Sequence, residues 1–383
     1  MSPNRPILFV DHAAALGGAE HSLLMLLERL NQHGWQPHLA CAPQGLAAVA
    51  RERGVPVHPI DLPRLRRSAR FFVDWVRGAR ALAELSKEIG ALALYSNTVR
   101  ATFYSAPAAK LARRPFIWHM RDFWLSEAQP KHMLADRMGK RLMLATASAV
   151  ITNSKAVARN LPASEKVRIV HNGIDVAQFT RSEKVGEFRK QHGVPLKSSL
   201  VGMVGRLRPW KGQDRFLRVA SRVLAEREDV HFMIVGGSPL STDSLYPQVL
   251  RRLVQALDIE ARVHFTGQLD DVRPALSAMD IFVHPGDPEP FGLVNVEAMA
   301  MGLPVVAFNH GALPEIVEDR QTGRLVTPED GGEMARAIID LLDDSETRKQ
   351  MGENGRRRAA QDFDVARTVQ GVNAVLQELT DTP

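Results

Sequence analysis

Short aliphatic, β-branched runs recur along this 383-residue chain, separated by stretches with helical spacing. The first series falls at 7–10, 38–41, 57–60, 92–95, 116–119, 149–152 and 167–171, with helical patterns such as 19–32 and 68–88 between its members. A second series falls at 200–204, 231–235, 263–266, 281–284, 305–307 and 324–326. Continuous apolar strands alternating with amphipathic helices are what a parallel sheet buried on both faces requires. The rhythm therefore predicts two doubly wound α/β domains. The charged, aliphatic-poor stretch 180–197 separates the two series and reads as a linker. No short-period repeat is present, which excludes solenoids and propellers.

The size supports two cores, since a single hydrophobic core rarely serves more than about 250–300 residues. One cysteine, Cys41, excludes an intramolecular disulfide and any cysteine-based metal cluster, and points to a reducing compartment. The N-terminus leads directly into Ile7-Leu8-Phe9-Val10, too short an apolar run for a signal peptide, and no apolar run reaches the length of a membrane span, so a cytoplasmic protein is expected. The net charge of +6 is unevenly distributed: residues 1–178 hold 24 Lys/Arg against 13 Asp/Glu, and residues 179–383 hold 25 against 30. A basic first half suits an anionic substrate or surface as well as it suits plain solubility.

In doubly wound sheets ligands bind beyond the carboxyl ends of the strands, and the chemically suggestive residues of this chain all follow predicted strands. After the first strand, Gly17 and Gly18 open a helix, where a backbone without Cβ atoms and free N–H groups would accept a phosphate; a plain tight turn fits equally well. Neither G-x-G-x-x-G nor a Walker motif occurs. His119 ends a strand, followed closely by Arg121. After the strand at 200–204, Gly205-Arg206 and Lys211-Gly212 place two cations on one turn, able to converge on a diphosphate. After the strand at 281–284, Glu289 sits in a Pro/Gly loop and Glu297 in the helix that follows, with the N–H groups of Phe291, Gly292 and Leu293 at that helix's start. Two carboxylates can serve glycosidase acid/base chemistry or read hydroxyl groups of a ligand; their sequence spacing does not separate these uses. Asp362-Phe363-Asp364 reads as helix capping, not as a metal site.

Taken together in this order, Gly17-Gly18, His119, Gly205-Arg206 with Lys211-Gly212, and Glu289-Pro290-Phe291-Gly292-Leu293 with Glu297-Ala298-Met299-Ala300 resemble the retaining glycosyltransferases of family four, which have the GT-B fold. The resemblance implies two Rossmann-like domains with parallel sheets facing across a cleft: an acceptor-side domain over 1–178, with a terminal helix near 365–383 packing back on it, and a nucleotide-sugar domain over 179–364. It implies transfer of a hexose-type sugar from a nucleoside diphosphate sugar to an acceptor hydroxyl, with retention, in glycan, glycolipid or metabolite biosynthesis, without a metal or other cofactor and without nucleic acid. Glu297 would hold the ribose, Glu289 with the backbone of Phe291, Gly292 and Leu293 the donor sugar, Arg206 and Lys211 the diphosphate, and Gly267-Gln268-Leu269 would pass the base. His119, Gly17 and Gly18 would complete the site, with Asn97 and Arg121 as acceptor contacts. A sugar-nucleotide epimerase or a non-catalytic sugar-nucleotide-binding protein are the alternatives. A phosphorylase would need a pyridoxal-anchoring lysine, yet none occurs between Lys211 and Lys349.

One segment stands outside that scheme. Arg64, Arg66, Arg67, Arg70, Arg77 and Arg80 share a helical pattern with Leu65, Phe72, Trp75, Val76, Ala79 and Leu82. It reads either as a core helix with a solvated basic side, or as a helix whose basic side rests on anionic lipid at the inner face of a membrane and presents an anionic or lipid-linked acceptor.

Overall fold

The computed structural model describes residues 5–13, 16–63, 70–124, 133–237 and 245–381. Its contacts divide the chain into two units, Met1–Ile174 with Val365–Pro383, and Asp175–Asp364.

The first unit carries seven parallel strands, β1 (Arg5–Val10), β2 (Trp35–Cys41), β3 (Val57–Pro59), β4 (Ala93–Ser96), β5 (Phe116–Met120), β6 (Ala149–Thr152) and β7 (Val167–Ile169), in the order β3-β2-β1-β4-β5-β6-β7. Its helices are α1 (Gly18–Leu30), α2 (Leu46–Glu52), α3 (Phe71–Glu88), α4 (Val99–Ala112), α5 (Met133–Thr146) and α6 (Lys155–Ala158). The second unit carries six parallel strands, β8 (Ser199–Val204), β9 (Val230–Val235), β10 (Val263–Gly267), β11 (Ile281–His284), β12 (Val305–Phe308) and β13 (Gly323–Val326), in the order β10-β9-β8-β11-β12-β13. Between and after them run α7 (Val185–Gln191), α8 (Gln213–Leu224), α9 (Tyr246–Ala256), α10 (Arg273–Ala278), α11 (Leu293–Ala300), α12 (Leu313–Ile316), α13 (Gly331–Asp343) and α14 (Ser345–Asp362). The final helix, α15 (Val365–Thr380), packs on α1 in the first unit, and its Val365, Val369, Val372, Val375 and Leu376 are buried there with Leu23, Leu27 and Leu30.

Central strands are buried along their whole length, which is why they read as uninterrupted apolar runs: β9 is buried at all six positions and β1 at all but its first. In both sheets the strand order reverses once, between β1 and β4 in the first and between β8 and β11 in the second. Loops leaving the carboxyl ends of those neighbouring strands diverge to opposite faces and open the crevice in which such sheets bind ligands.

The stretch 180–197 is no bare linker. It contains α7, whose Phe188 and Arg189 are buried, as is Val194 after it. Arg189 spends its guanidinium on the carbonyls of Ala278 (2.6 Å) and Ser198 (2.8 Å) and on the Asp280 carboxylate (3.1 Å), tying α7 to the amino ends of β8 and β11. Of the aspartates at 362–364, Asp362 ends α14 and accepts from Arg358 at 3.2 Å, and Asp364 precedes α15.

Candidate functional site

At the reversal in the second sheet, two loops interlock through their backbones. The first leaves β8 through Gly205 and Arg206, makes one 3-10 turn over Pro209–Lys211, and enters α8 after Gly212. Gly212 holds φ at +76°, and a Cβ there would stand 2.3 Å from the Pro285 carbonyl oxygen, so only glycine lets the second loop pass. The second loop leaves β11 and donates the Asp287 N–H to the Trp210 carbonyl at 2.8 Å. Arg215, one turn into α8, donates to the Pro285 carbonyl at 2.9 Å and to Asp287 at 2.6 Å, which clamps this loop from the helix side.

The clamp brings Lys211 and Glu289 together. Their side chains form a hydrogen-bonded ion pair, with Glu289 only 6% exposed and the Lys211 Nζ 4.4 Å above the Trp210 ring. Burial by itself would push the Glu289 carboxyl up, but the charge of Lys211, with His284 and Arg206 nearby, brings it below the ordinary carboxylate range. Glu289 is therefore a fixed carboxylate, an acceptor of hydrogen bonds only. His284, at the end of β11, receives an Asn295 amide hydrogen at Nδ1 (3.3 Å), which leaves its proton on Nε2, 3.7 Å from Glu289 Oε1. Burial pushes His284 down to about 4 against the opposing pull of Glu289, so the ring is neutral near pH 7.

Beyond Glu289 the chain turns at Gly292, in the left-handed region at φ +91°, and starts α11. The Asn295 N–H bonds the Gly292 carbonyl at 3.0 Å, and the N–H groups of Gly292, Leu293 and Val294 lie before the first acceptor of the helix, an arrangement able to receive an anion. Phe291 points inward and packs edge-to-face on Phe363, contributing its backbone to the site while its ring anchors the turn. Glu297 lies one turn along α11 from Leu293, half-buried, its carboxyl pushed up to about 7 by desolvation. Gly311 packs on the backbone of Glu289, where a Cβ would come within 2.6 Å of its carbonyl oxygen, and Ala312 donates to that oxygen at 2.9 Å.

The third side of the site is a staircase of strand ends. Gly205 N–H bonds the Val235 carbonyl, Leu207 N–H the Gly237 carbonyl, and Gly236 N–H the Gly267 carbonyl, at 2.9–3.0 Å. Gly236 is forced to be glycine, because a Cβ would sit 2.1 Å from the Gly205 oxygen. Gly267 and Gln268 are exposed at the top of β10, Leu269 is half-buried beside them, and Arg206 is exposed with its carbonyl held by the buried Gln213 at 2.9 Å. Arg206, Lys211, Glu289, the α11 start, Glu297 and the 267–269 loop thus all lie at or beyond the carboxyl edge of one sheet. Sequence reasoning passed over Trp210, Gln213, Arg215, His284, Asn295, Gly236 and Gly311. Of these, His284 and Asn295 carried a signal, standing at a strand end and within the glutamate motif.

The first unit departs from expectation at three residues. The Gly17 N–H is not free for a phosphate: it donates to the Glu20 carboxylate at 2.8 Å in a capping arrangement, and a Cβ on Gly17 would stand 2.9 Å from the same oxygen. Asn97 is fully buried and Arg121 is 7% exposed, where open contacts with an acceptor were expected of both. Asn97 donates to Asp11 (2.7 Å), and Arg121 donates to Asn97 (2.6 Å), Ser22 (3.0 Å) and Asn172 (2.6 Å), joining the ends of β1, β4, β5 and β7 to α1. His119, 1% exposed, is bonded through Nδ1 to the Tyr95 hydroxyl, and burial with the Arg121 charge holds it well below its ordinary value, hence neutral. Gly18 is exposed at the start of α1.

Comparison with known proteins agrees with this geometry. Residues 16–178 match the family model described as Glycosyltransferase Family 4, and residues 184–358 match that described as Glycosyl transferases group 1. The Anabaena protein HepE, solved with UDP and glucose, is 27% identical with a TM-score of 0.83, over 97% of this chain and 99% of that one. The D-inositol 3-phosphate glycosyltransferase of Corynebacterium efficiens is 33% identical over 56% of this chain and 52% of its own length. A GDP-mannose-dependent monoacylated alpha-(1-6)-phosphatidylinositol monomannoside mannosyltransferase of Corynebacterium glutamicum is 36% identical over 48% and 49%. The chain thus spans about half the length of the curated relatives it matches. With two family models covering both doubly wound units in order, the chain belongs to the family-four glycosyltransferases of GT-B fold.

Proposed function

We propose that the protein transfers a sugar from a nucleoside diphosphate sugar to a hydroxyl of an anionic or lipid-linked acceptor, with retention of configuration and without a catalytic metal. The observation that carries this reading is the Lys211–Glu289 pair at the reversal of the second sheet, beside the start of α11. A lone carboxylate held ionised beside a lysine offers a donor sugar acceptors for its hydroxyls and offers the diphosphate a cation within the same few ångströms. The helix N–H groups and Arg206 add further positive charge, as a departing diphosphate requires.

In the proposed reaction the bond from the anomeric carbon to the diphosphate oxygen breaks as the acceptor oxygen bonds the same face of the sugar. The acceptor proton passes to the leaving phosphate, so no protein nucleophile is needed. Negative charge grows on the diphosphate, and Arg206 and Lys211 are the residues assigned to meet it, so that in this reading the protein itself supplies the cations. Glu297 takes the ribose hydroxyls and the 267–269 loop the base. His119, neutral and at the end of β5, is available to hydrogen-bond an uncharged hydroxyl but not to neutralise a phosphate.

For the acceptor, the relatives' names point to inositol phosphate or phosphatidylinositol-based compounds. A cavity of about 300 Å³ lined by His12, Val99, Arg100 and Phe103 lies beyond β1 and β4 of the first unit and suits an acceptor with an anionic group and an apolar portion. Among the described residues no helix is long and apolar enough to cross a membrane, so contact with lipid would be peripheral. A thermal-shift panel of UDP, GDP, ADP and dTDP, followed by anomeric analysis of the product with and without EDTA, tests the reading. A protein whose melting temperature none of the four raises would not be a nucleotide-sugar enzyme.

A further inference from the structure

Of the twelve large apolar residues exposed among the described residues, eight lie on three helices of the first unit, α3, α4 and α5. On α5 the exposed set is periodic: Leu134, Met138 and Leu142, at 72%, 61% and 59% exposure, follow the i, i+4, i+8 spacing of one helix face. That face is outward because the opposite one is fixed. Lys140 is buried and donates to the Phe123 carbonyl (3.1 Å) and to Asp136 (2.7 Å), Met143 and Leu144 are buried, and a Cβ on Gly139 would strike the Trp124 ring at 2.6 Å. Rotating α5 to hide its apolar stripe would break the Lys140 bond to Phe123 and the Gly139 packing on Trp124, and would expose Met143 and Leu144.

The neighbouring helices extend the surface. Phe71, Phe72 and Val73 are exposed in the first turn of α3. Trp75 Nε1 ties that turn to the Phe103 carbonyl of α4 at 2.9 Å, and the Phe103 ring stacks on Trp124, which supports α5. The three helices are therefore joined in a row by aromatic contacts. Around the apolar residues stand exposed cations, Arg77 and Arg80 on α3, Lys110 near the end of α4, Arg113 directly after it, and Arg137 and Arg141 on α5. No exposed acidic residue occurs on α4 or α5.

We infer that the outer faces of α3, α4 and α5 form a docking surface for an anionic lipid bilayer, with α5 lying in the headgroup layer and its Leu134–Met138–Leu142 stripe entering the acyl boundary. An apolar stripe flanked by arginines is the composition of an interfacial helix, where tails take the stripe and anionic headgroups take the guanidinium groups. A second copy of the chain is a poor occupant, because a two-fold contact would set like charges against each other. This inference deepens the proposed lipid-linked acceptor and rests on it for its purpose. It moves the lipid contact from the arginine-rich segment 64–80, whose Arg64, Arg66 and Arg67 lie outside the described residues, to α5, which the sequence reading did not single out.

Cosedimentation with phosphatidylglycerol/phosphatidylcholine vesicles, at low and high salt, tests it. The wild-type protein should bind, and L134D/M138D/L142D should bind at least tenfold more weakly at both salt concentrations, these side chains being too exposed to unfold the protein. R137Q/R141Q should weaken binding about 30-fold at low salt, the equivalent of ~2 kcal/mol, and converge on the wild type at high salt. Both variants should keep the wild-type thermal shift with nucleoside diphosphate, so a failure of docking and a failure of the donor assignment are told apart. Unchanged vesicle binding by the triple variant would overturn the inference. So would a concentration-dependent dimer in light scattering that the triple variant abolishes, since the occupant would then be a second copy.

Discussion

Glu289 and Glu297 stand eight positions apart, yet their surroundings drive them to opposite protonation behaviour. Lys211 overrides burial and keeps Glu289 ionised, whereas burial alone governs Glu297 and lifts it from 4.5 to about 7. Ribose hydroxyls donate to a carboxylate, so nucleotide should bind the ionised form of Glu297 and release a proton. Because the raised value favours the protonated form in the free protein, affinity should rise as pH climbs toward 7 and level off above it. By the same sign, Glu297 contributes to the stability of the free protein below about 4.5, and that contribution is lost as pH rises through 7. Calorimetric titration of nucleotide in two buffers of different ionisation enthalpy checks this, and Glu297→Gln should flatten the profile. For Lys211, truncation to Ala should lower kcat by about 10²–10³, as removal of an oxyanion donor does. Steady-state kinetics with saturating donor will show it, and an unchanged kcat would mean that the lysine serves only to hold Glu289. The glutamates and cations were legible in the sequence because their side chains are the chemistry. Their pairing was not, since residues 78 positions apart meet only through the order of strands in the sheet.

Elements were legible where one physical signal dominated. The central strands are largely buried on both faces and announce themselves as apolar runs, so their ends differ from expectation by no more than three residues, the largest difference being the start of β2 at Trp35. The segment 180–197 misled because α7 buries a single apolar side chain, Phe188, and is otherwise tied down by Arg189, a core residue whose partners are carbonyls and the Asp280 carboxylate, which composition cannot reveal. Likewise the sequence left Gly17 open between a phosphate cradle and a plain turn, and its N–H is bonded to Glu20, while the expected strand-end contacts Asn97 and Arg121 are buried and bonded to each other. Replacing Arg189 by Met should cost about 3 kcal/mol, because the guanidinium leaves behind unpaired carbonyls and the Asp280 carboxylate. Urea unfolding of the second unit, followed by nucleotide-sensitive fluorescence, measures the loss. A change under 1 kcal/mol would show that water replaces the guanidinium without strain.

At the scale of the whole molecule, the chain crosses from one unit to the other at Ile174/Asp175 and returns at Asp364/Val365. That return leaves the first unit's core incomplete until the last helix is made. Val365, Val369, Val372, Val375 and Leu376 fill the side of the core formed by α1, and Trp35 Nε1 bonds Asn373 at 2.7 Å. At about 1.5–3 kcal/mol per buried aliphatic side chain, the five residues together supply on the order of 10 kcal/mol, as much as the entire net stability of a typical domain. A chain ending at Asp364 should therefore lose the folded first unit while the second, whose core draws only on residues within Asp175–Asp364, stays folded. Differential scanning calorimetry should show the transition of the first unit missing and the remaining transition still raised by nucleoside diphosphate, because Lys211, Glu289 and Glu297 all lie in the surviving unit. Loss of both transitions would mean that the second unit needs the first in order to fold. A nucleotide-insensitive remaining transition would instead assign the donor site to residues that the truncation removed or unfolded.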